Sequence, residues 1–562
     1  MNSQSFNLVT DSWIKVIDQD TNQPQQVSLT ELFQHAQQYR QLAGDMRSQD
    51  LAILRFLLAI LTTVYSRFDA DDDAYEWLEI DAKTLTITEP VDEDEYESSD
   101  LLDTWQQLFQ QGHFSGIVLR YLEQYQQRFD LFGQQPFYQV TAAEYDAVVP
   151  AKKQVATGAG TVAVKQMNRL ISESNNTPNI FAPKTDGEKN QVTQAELARW
   201  LVTYQNFTGV TDKTKIETAE KFSTPSGWLY KLNPVFANGR SIFETLMLNL
   251  VLVTKKAYIA QKPVWEYESL QDYVATRQKM ILPDDLAALY TTWSRLIHIE
   301  WDEQHQPTIF SAGLPMFSNE NAFVEPMTTW KPDSQGGTED FKPAVKSTKS
   351  LGSAMWRHFS QYVNVDKSSS HEPGLVTWLH LLERKGLLAQ DQQLYLATAV
   401  LVSDGNATSQ SPVVEVADDF SIKAEVLFDT EAEQRWPERI ENVIDLTQII
   451  GKDYWHFVAA IGEIRNVDTR QFANQYSAKF YDRLNGPFKQ WLAGLSNDDD
   501  RDAKVLEWQK QLKRLVLESA KELMNSSTSR DINGIQKDKV GLQNIFTVNN
   551  WLRYNLKQHL SL

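Results

Sequence analysis

The sequence predicts an α+β fold: a large mixed N-terminal domain, residues 1–429, followed by a helical bundle, residues 430–562. Three observations support this. A chain of 562 residues is too long for one hydrophobic core. Up to about residue 430, stretches at strand spacing are mixed with stretches at helical spacing. Beyond it, the helical period runs almost to the end.

The elements follow in order. "FNLVTDSWIKVID" alternates as a strand does, "DTNQPQQ" turns, and Ser28 with Glu31 forms a capping-box pattern that starts a helix. "SQDLAILRFLLAILTTVYSRF" is apolar on every face, which predicts a central buried helix; Arg55 interrupts it, and it is short for a membrane span. "LLDTWQQLFQQG" and "AELARWLVTYQN" read as helices, "GVTDKTKIETAEKFSTPSG" as a long polar loop, and "SIFETLMLNLVLV" as a second apolar helix. "LYLATAVLV" (394–402) and "PVVEVADD" (412–419) are strands joined by the loop "SDGNATSQS", and "KPDSQGGTEDFKP" is a loop. In the last region Val505, Trp508, Leu512 and Leu515 fall on one stripe that continues through Val516, Ala520 and Leu523. Ile545, Val548, Leu552 and Leu556 form another such stripe.

Composition narrows the function. Cysteine is absent, which removes disulfides, thiolate catalysis and Cys-based metal sites. No charged-then-apolar leader precedes the first strand, so no signal peptide is expected, no membrane association is expected, and the cytoplasm is the expected compartment. The net charge is −20, but residues 69–100 hold 14 acids and one base, leaving −7 for the other 530 residues. That acidic stretch reads as a solvated, partly disordered loop.

No catalytic pattern stands out. The nine histidines are scattered without helical pairing, and neither a phosphate-binding Gly-Lys-Ser/Thr loop nor a Gly-x-Ser-x-Gly elbow occurs. Binding surfaces are the stronger lead. Three acid-free basic windows stand out: 147–172, with Lys152, Lys153 and Lys165; 341–365, with Lys342, Lys346, Lys349, Arg357 and His358; and the tail after Asp538, with Lys539, Arg553 and Lys557. A single window is ordinarily a solvated face. Three together favour a polyanion, since each cation that meets a phosphate releases a counterion.

Four blocks in this order, "FNLVTDSWIKV", "LAGDMRSQDLAILRFLLAIL", "RFDLFGQQPFYQV" and "GWLYKLNPVFANGRSIFETLMLNLVL", resemble the CasA family, the large subunit of the type I-E CRISPR Cascade surveillance complex. The resemblance implies that the C-terminal region is a four-helix bundle and that the chain is non-catalytic and needs no cofactor. The implied partners are the other Cascade subunits, the crRNA, the double-stranded target DNA, and a helicase-nuclease recruited after R-loop formation. The implied role is recognition of the protospacer-adjacent motif (PAM) from the minor groove and opening of the strands beside it, a division of labour in which guide pairing reads the rest.

Residue by residue, the resemblance places the family's glycine loop at Thr208, Gly209, Val210 and Thr211, and its strand-separating wedge at Asn406, Thr408, Ser409 or Gln410. The family's lysine would lie in "SAGLPMFSNENAF", which has none, so either Asn319 or Asn321 substitutes for it or the PAM preference differs. The loop toward the crRNA handle carries Asn179, Phe181 and Lys184. Lys152, Lys153, Lys165, Lys346, Lys349, Arg357, Arg553 and Lys557 are the candidate phosphate contacts. The alternative is a scaffold subunit of another assembly with no nucleic-acid role.

Overall fold

The computed structural model describes residues 5–92, 94–167, 184–185, 187–209, 213–223, 226–253, 257–333, 341–348, 351–363, 371–403, 412–430, 435–538 and 541–560. The chain divides into two compact units. The first comprises Met1–Leu351, His371–Leu381 and Leu396–Asp418; the second comprises Gly352–Ser370, Leu382–Tyr395 and Asp419–Leu562.

The first unit is mixed, as the α+β reading expects. It opens with β1 (Ile14–Asp18), β2 (Pro24–Val27), α1 (Leu29–His35) and β3 (Tyr39–Leu42), the strands forming an antiparallel sheet of order β2-β1-β3. Ser28 caps α1 reciprocally with Glu31: the Glu31 amide donates to Ser28 Oγ at 3.1 Å and the Ser28 amide to the Glu31 carboxylate at 2.8 Å. The strand is shorter than the alternating pattern predicts. The Asp11 carboxylate accepts the Asn7 amide at 2.7 Å and curls that stretch into a turn. The region expected to turn also contains β2.

Helix α2 (Arg47–Tyr65) is the central helix. It is long and apolar enough to cross a membrane, yet 94% of that stretch is buried inside the fold. Arg55 is tolerated there because Glu325 receives it in a two-pronged pair, at 2.7 and 2.8 Å, with both side chains fully buried.

The acidic stretch 69–100 departs from its expectation. Its carboxylates are largely exposed, but the chain beneath them is packed. Trp77 stacks on Tyr75 at 5.0 Å and meets Tyr258 at 5.1 Å, while Tyr75, Leu78 and Leu101 form a buried satellite core. Aromatics spaced between the acids supply the apolar area that a disordered segment lacks.

The remaining elements of this part are α3 (Ser98–Gln111), α4 (Ile117–Gln124), α5 (Ala142–Val148), α6 (Val164–Met167), α7 (Gln194–Phe207), β4 (Phe236–Asn238), α8 (Ile242–Asn249), α9 (Leu270–Gln278), α10 (Leu286–Thr291), the antiparallel pair β5 (Arg295–Trp301) and β6 (Pro307–Gly313), and the pair β7 (Trp330–Pro332) and β8 (Phe341–Pro343). The second apolar helix stops at Asn249, short of its apolar run. The Asn249 side chain closes on Ala237, donating to its carbonyl at 2.6 Å and accepting its amide at 3.0 Å. Next come α11 (Gly374–Arg384) and the long strands β9 (Gln393–Ser403) and β10 (Pro412–Lys423), in a sheet of order β10-β9-β4.

The second unit holds α12 (Ala424–Leu427), α13 (Trp436–Arg465), α14 (Thr469–Ala493), α15 (Arg501–Asn525), α16 (Ser529–Asn533), the short pair β11 (Ile535–Lys537) and β12 (Gly541–Gln543), and α17 (Ile545–His559). Helices α13, α14, α15 and α17 form the four-helix bundle, with α13 touching the other three. Both predicted stripes face inward, Val505 only partly so, and Trp508 adds an indole N–H donated to Thr447 Oγ1 at 2.9 Å. Each such buried side chain contributes roughly 1.5–3 kcal/mol by leaving water.

Candidate nucleic-acid interface

The site is built around strand β6. Helix α7 starts at a capping box of Thr193 and Glu196 and is almost wholly buried. It ends at Thr208, whose amide still donates to the Tyr204 carbonyl at 2.9 Å. The Gly227 amide returns to the Thr208 carbonyl at 2.9 Å, so the loop 209–226 leaves and re-enters the fold at one neck. Only glycine fits at that return: a Cβ on Gly227 would stand 2.1 Å from the Asn206 carbonyl oxygen.

The far limb of this loop is fixed to the end of β6. The Gly313 amide donates to Thr214 at 2.9 Å, and the Ile216 amide donates to Gly313 at 3.1 Å. Two of the segments that the resemblance singles out are thereby brought together: the glycine-loop segment, through Thr214, and the stretch from Gly313 onward. Val210 and Thr211 lie outside the described residues.

The first basic window also runs along β6 and is not a free extension. The Thr161 amide donates to Ile309 at 2.8 Å, and the Ser311 amide donates to Thr161 Oγ1 at 2.6 Å. Gly158 and Gly160 take positive φ values of 71° and 63° to make the turns. Lys152 and Lys153 are exposed on a short helical turn, whereas Lys165 is half-buried.

The segment 311–323 contains no cation of its own, but the fold delivers one to it. Arg277 of α9 donates through Nη2 to the Pro315 carbonyl at 2.7 Å and lies 3.7 Å over the Phe317 ring. Phe317 in turn meets Trp228, on the return limb of the loop, edge to face at 6.2 Å. Residue-by-residue matching missed Arg277 because it is 38 residues upstream of Pro315. Helical periodicity could have found it: Leu270, Tyr273, Val274 and Arg277 share the buried face of α9, and a cation on such a face requires an explanation.

The two asparagines proposed for that segment part company. Asn321 is the left-handed cap of a short helical turn, with φ 62°, and its amide donates to the Leu282 and Pro283 carbonyls at 3.2 and 3.4 Å. Asn319 is exposed.

The wedge candidates Asn406, Thr408, Ser409 and Gln410 lie outside the described residues, but the strands below them are anchored. Glu415 of β10 accepts the Ser48 amide at 2.7 Å and the Arg47 amide at 3.4 Å, capping the first turn of α2. Asn179 and Phe181 also lie outside the described residues. Lys184 donates to the Gln191 carbonyl at 2.9 Å and lies 3.7 Å from Glu196.

The remaining cations differ in use. Lys342 pairs with Asp333 at 2.6 Å; burial pushes the Lys346 ammonium down in pKa, against the pull of Asp418. Lys349 lies outside the described residues. In the second unit, Arg357 lies 3.7 Å over the Tyr481 ring, and burial lowers its pKa. Arg553 and Lys557 are exposed one turn apart on α17, beside the exposed Phe546 and Tyr554. Among the described residues no cluster of three or more His, Cys, Asp or Glu could hold a metal ion.

Comparison with known proteins places this architecture. No curated protein matches in sequence. The chain is similar in structure to Cse1 of Thermobifida fusca, with a TM-score of 0.75 at 21% identity over 99% of this chain and 98% of that one. It is similar to CasA (Cse1) of Thermus thermophilus, with a TM-score of 0.65 at 17% identity over 99% of both chains. It is also similar to a chain of a CRISPR RNA-guided surveillance complex, with a TM-score of 0.59 at 13% identity over 98% of this chain and 99% of that one. The family model for CRISPR-associated protein Cse1 matches residues 7–519, nearly the whole length, and the chain therefore belongs to the Cse1 (CasA) family.

Proposed function

We propose that this chain is the non-catalytic large subunit of a type I-E Cascade complex, acting in the cytoplasm. In this reading it recognises the PAM in duplex DNA, promotes strand opening and R-loop formation, and recruits the helicase-nuclease. Its partners are the other Cascade subunits, the crRNA at its 5′ handle, and the target duplex.

The observation that carries the reading is the meeting on β6 of three separate sequence segments. These are the basic window 147–172, held there through Thr161, the loop beyond the Thr208–Gly209 neck, held through Thr214 and Ile216, and the stretch beyond Gly313 that Arg277 reaches. Glycine at the neck lets backbone approach a groove, and nearby cations position phosphates without reading sequence. In the second unit, the exposed Arg553 and Lys557 with Tyr554 and Phe546 offer charge and aromatic faces of the kind that single strands use. We assign 1–429 to PAM and handle contacts and 430–562 to the displaced or target strand.

The test is reconstitution. Purified chain is added to a Cascade core lacking its large subunit, and binding of target duplexes with and without a PAM is measured. The expected result is restored, PAM-dependent binding. Absent restoration, or restoration that ignores the PAM, overturns the proposal and leaves a scaffold role. Alanine at Asn406, Thr408, Ser409 and Gln410 together is expected to slow strand opening, followed by a fluorescent base analogue in the target.

A further inference from the structure

Arg277 is 4% exposed, and among the described residues no carboxylate pairs with it. Among the described residues Tyr273 favours its charged form and no Asp or Glu does so, while burial pushes the guanidinium pKa down. Its Nη2 is satisfied by Pro315, while among the described residues its buried Nε and Nη1 have no hydrogen-bond partner. The same cleft holds two more buried polar atoms without a partner, Ser226 Oγ and Trp293 Nε1. Its amide side chain, Gln205, is already committed. Its Oε1 accepts the Ser294 and Arg295 amides at 2.8 and 3.0 Å, and its Nε2 donates to the Arg295 carbonyl at 2.9 Å.

The chemistry of the orphans is one-sided. A guanidinium and an indole N–H only donate, and a hydroxyl can join them as a donor. Whatever completes the cleft is therefore an acceptor, and a buried unpaired cation favours a negatively charged one over a neutral one. Size limits it further. The cleft has a volume of about 10 Å³ on the scale by which a water is accommodated, room for about one oxygen, so a base or sugar does not enter it. Ser226 and Trp228 line the cleft at the neck of the loop 209–226, so its occupant arrives where that loop meets its partner.

We propose that the cleft of Arg277, Trp293 and Ser226 is an oxyanion site that takes one non-bridging oxygen of a nucleic-acid phosphodiester. This rests on the reading of the loop as DNA-facing. It adds to that reading a buried phosphate anchor, which fixes how deep the backbone sits and carries no sequence information of its own.

Two arms test it. In the first, thermal unfolding of the full chain is followed in inorganic phosphate or sulfate against chloride at equal ionic strength. A saturable upward shift specific to the oxyanions is expected. It should vanish in Arg277→Met, shrink in Trp293→Phe and Ser226→Ala, and persist in part in Arg277→Lys. The Trp293 and Ser226 variants keep the charge and nearly the same shape, so they report even if Arg277→Met folds poorly. An equal response to chloride overturns the proposal and makes the cleft a water or halide site.

In the second arm, the assembled complex carrying Trp293→Phe with Ser226→Ala is titrated with target duplex. About tenfold weaker binding is expected, equal across PAMs, and Arg277→Met should lower the salt slope by about one. If the phosphate shift holds but duplex binding does not change, the phosphodiester is the wrong occupant. If the wild-type complex binds no duplex at all, the functional reading falls, and the first arm alone still reports on the oxyanion site.

Discussion

Two buried arginines in the first unit solve the same problem in opposite ways. Arg55, inside α2, meets Glu325 in a two-pronged pair and lies 4.3 Å over the Tyr290 ring. Glu325 is completed by the Trp228 indole at 2.8 Å and the Met327 amide at 3.1 Å. Arg277, at the end of α9, has a carbonyl and an aromatic ring but, among the described residues, no carboxylate. The first arrangement is closed and serves the fold. The second is open on its charged side, as an arginine awaiting an external anion would be. Trp228 stands between them, its N–H on Glu325 and its ring against Phe317.

The sharpest way to break this comparison is Glu325→Gln. It strands Arg55 without its partner and is expected to cost about 3–5 kcal/mol in urea unfolding. A cost near zero would mean that the closed pair is not a stability element. Next is Gly227→Ala. Its Cβ would be driven into the Asn206 carbonyl, with an expected cost of about 3 kcal/mol and a parallel loss of duplex binding in the reconstituted complex.

Trp228→Phe separates the two sites. It removes the donor to Glu325 but keeps a ring beside Phe317, so stability should fall by about 1.5 kcal/mol while phosphate still raises the melting temperature. The smallest effect is expected for Arg277→Met in chloride buffer, about 1 kcal/mol for the lost bond to the Pro315 carbonyl, because among the described residues no carboxylate is left behind. A loss as large as that of Glu325→Gln would erase the distinction between the two arginines.

Local signals carried much of the fold. The box at Ser28 and Glu31, the apolar α2, and the inward stripes of α15 and α17 follow from period and capping alone. Long-range partnerships did not show in the sequence. Arg55 and Glu325 are 270 residues apart, and nothing beside either names the other. The acidic stretch was misread because its charge masked the aromatics at Tyr75, Trp77 and Tyr96 that pack it. At the candidate site, the loop positions and the cations were readable as residue types. Their convergence on β6 and the arrival of Arg277 depend on tertiary placement.

The grip of α2 on Glu415 has a mechanical consequence. The strands β9 and β10 form a beam, and the carboxylate of Glu415 ties that beam to the first turn of the buried central helix. A load carried by the two strands would press against the core through Ser48, as a lever bears on its fulcrum. In that picture Glu415→Ala leaves both strands in place, yet deprives them of something to push against.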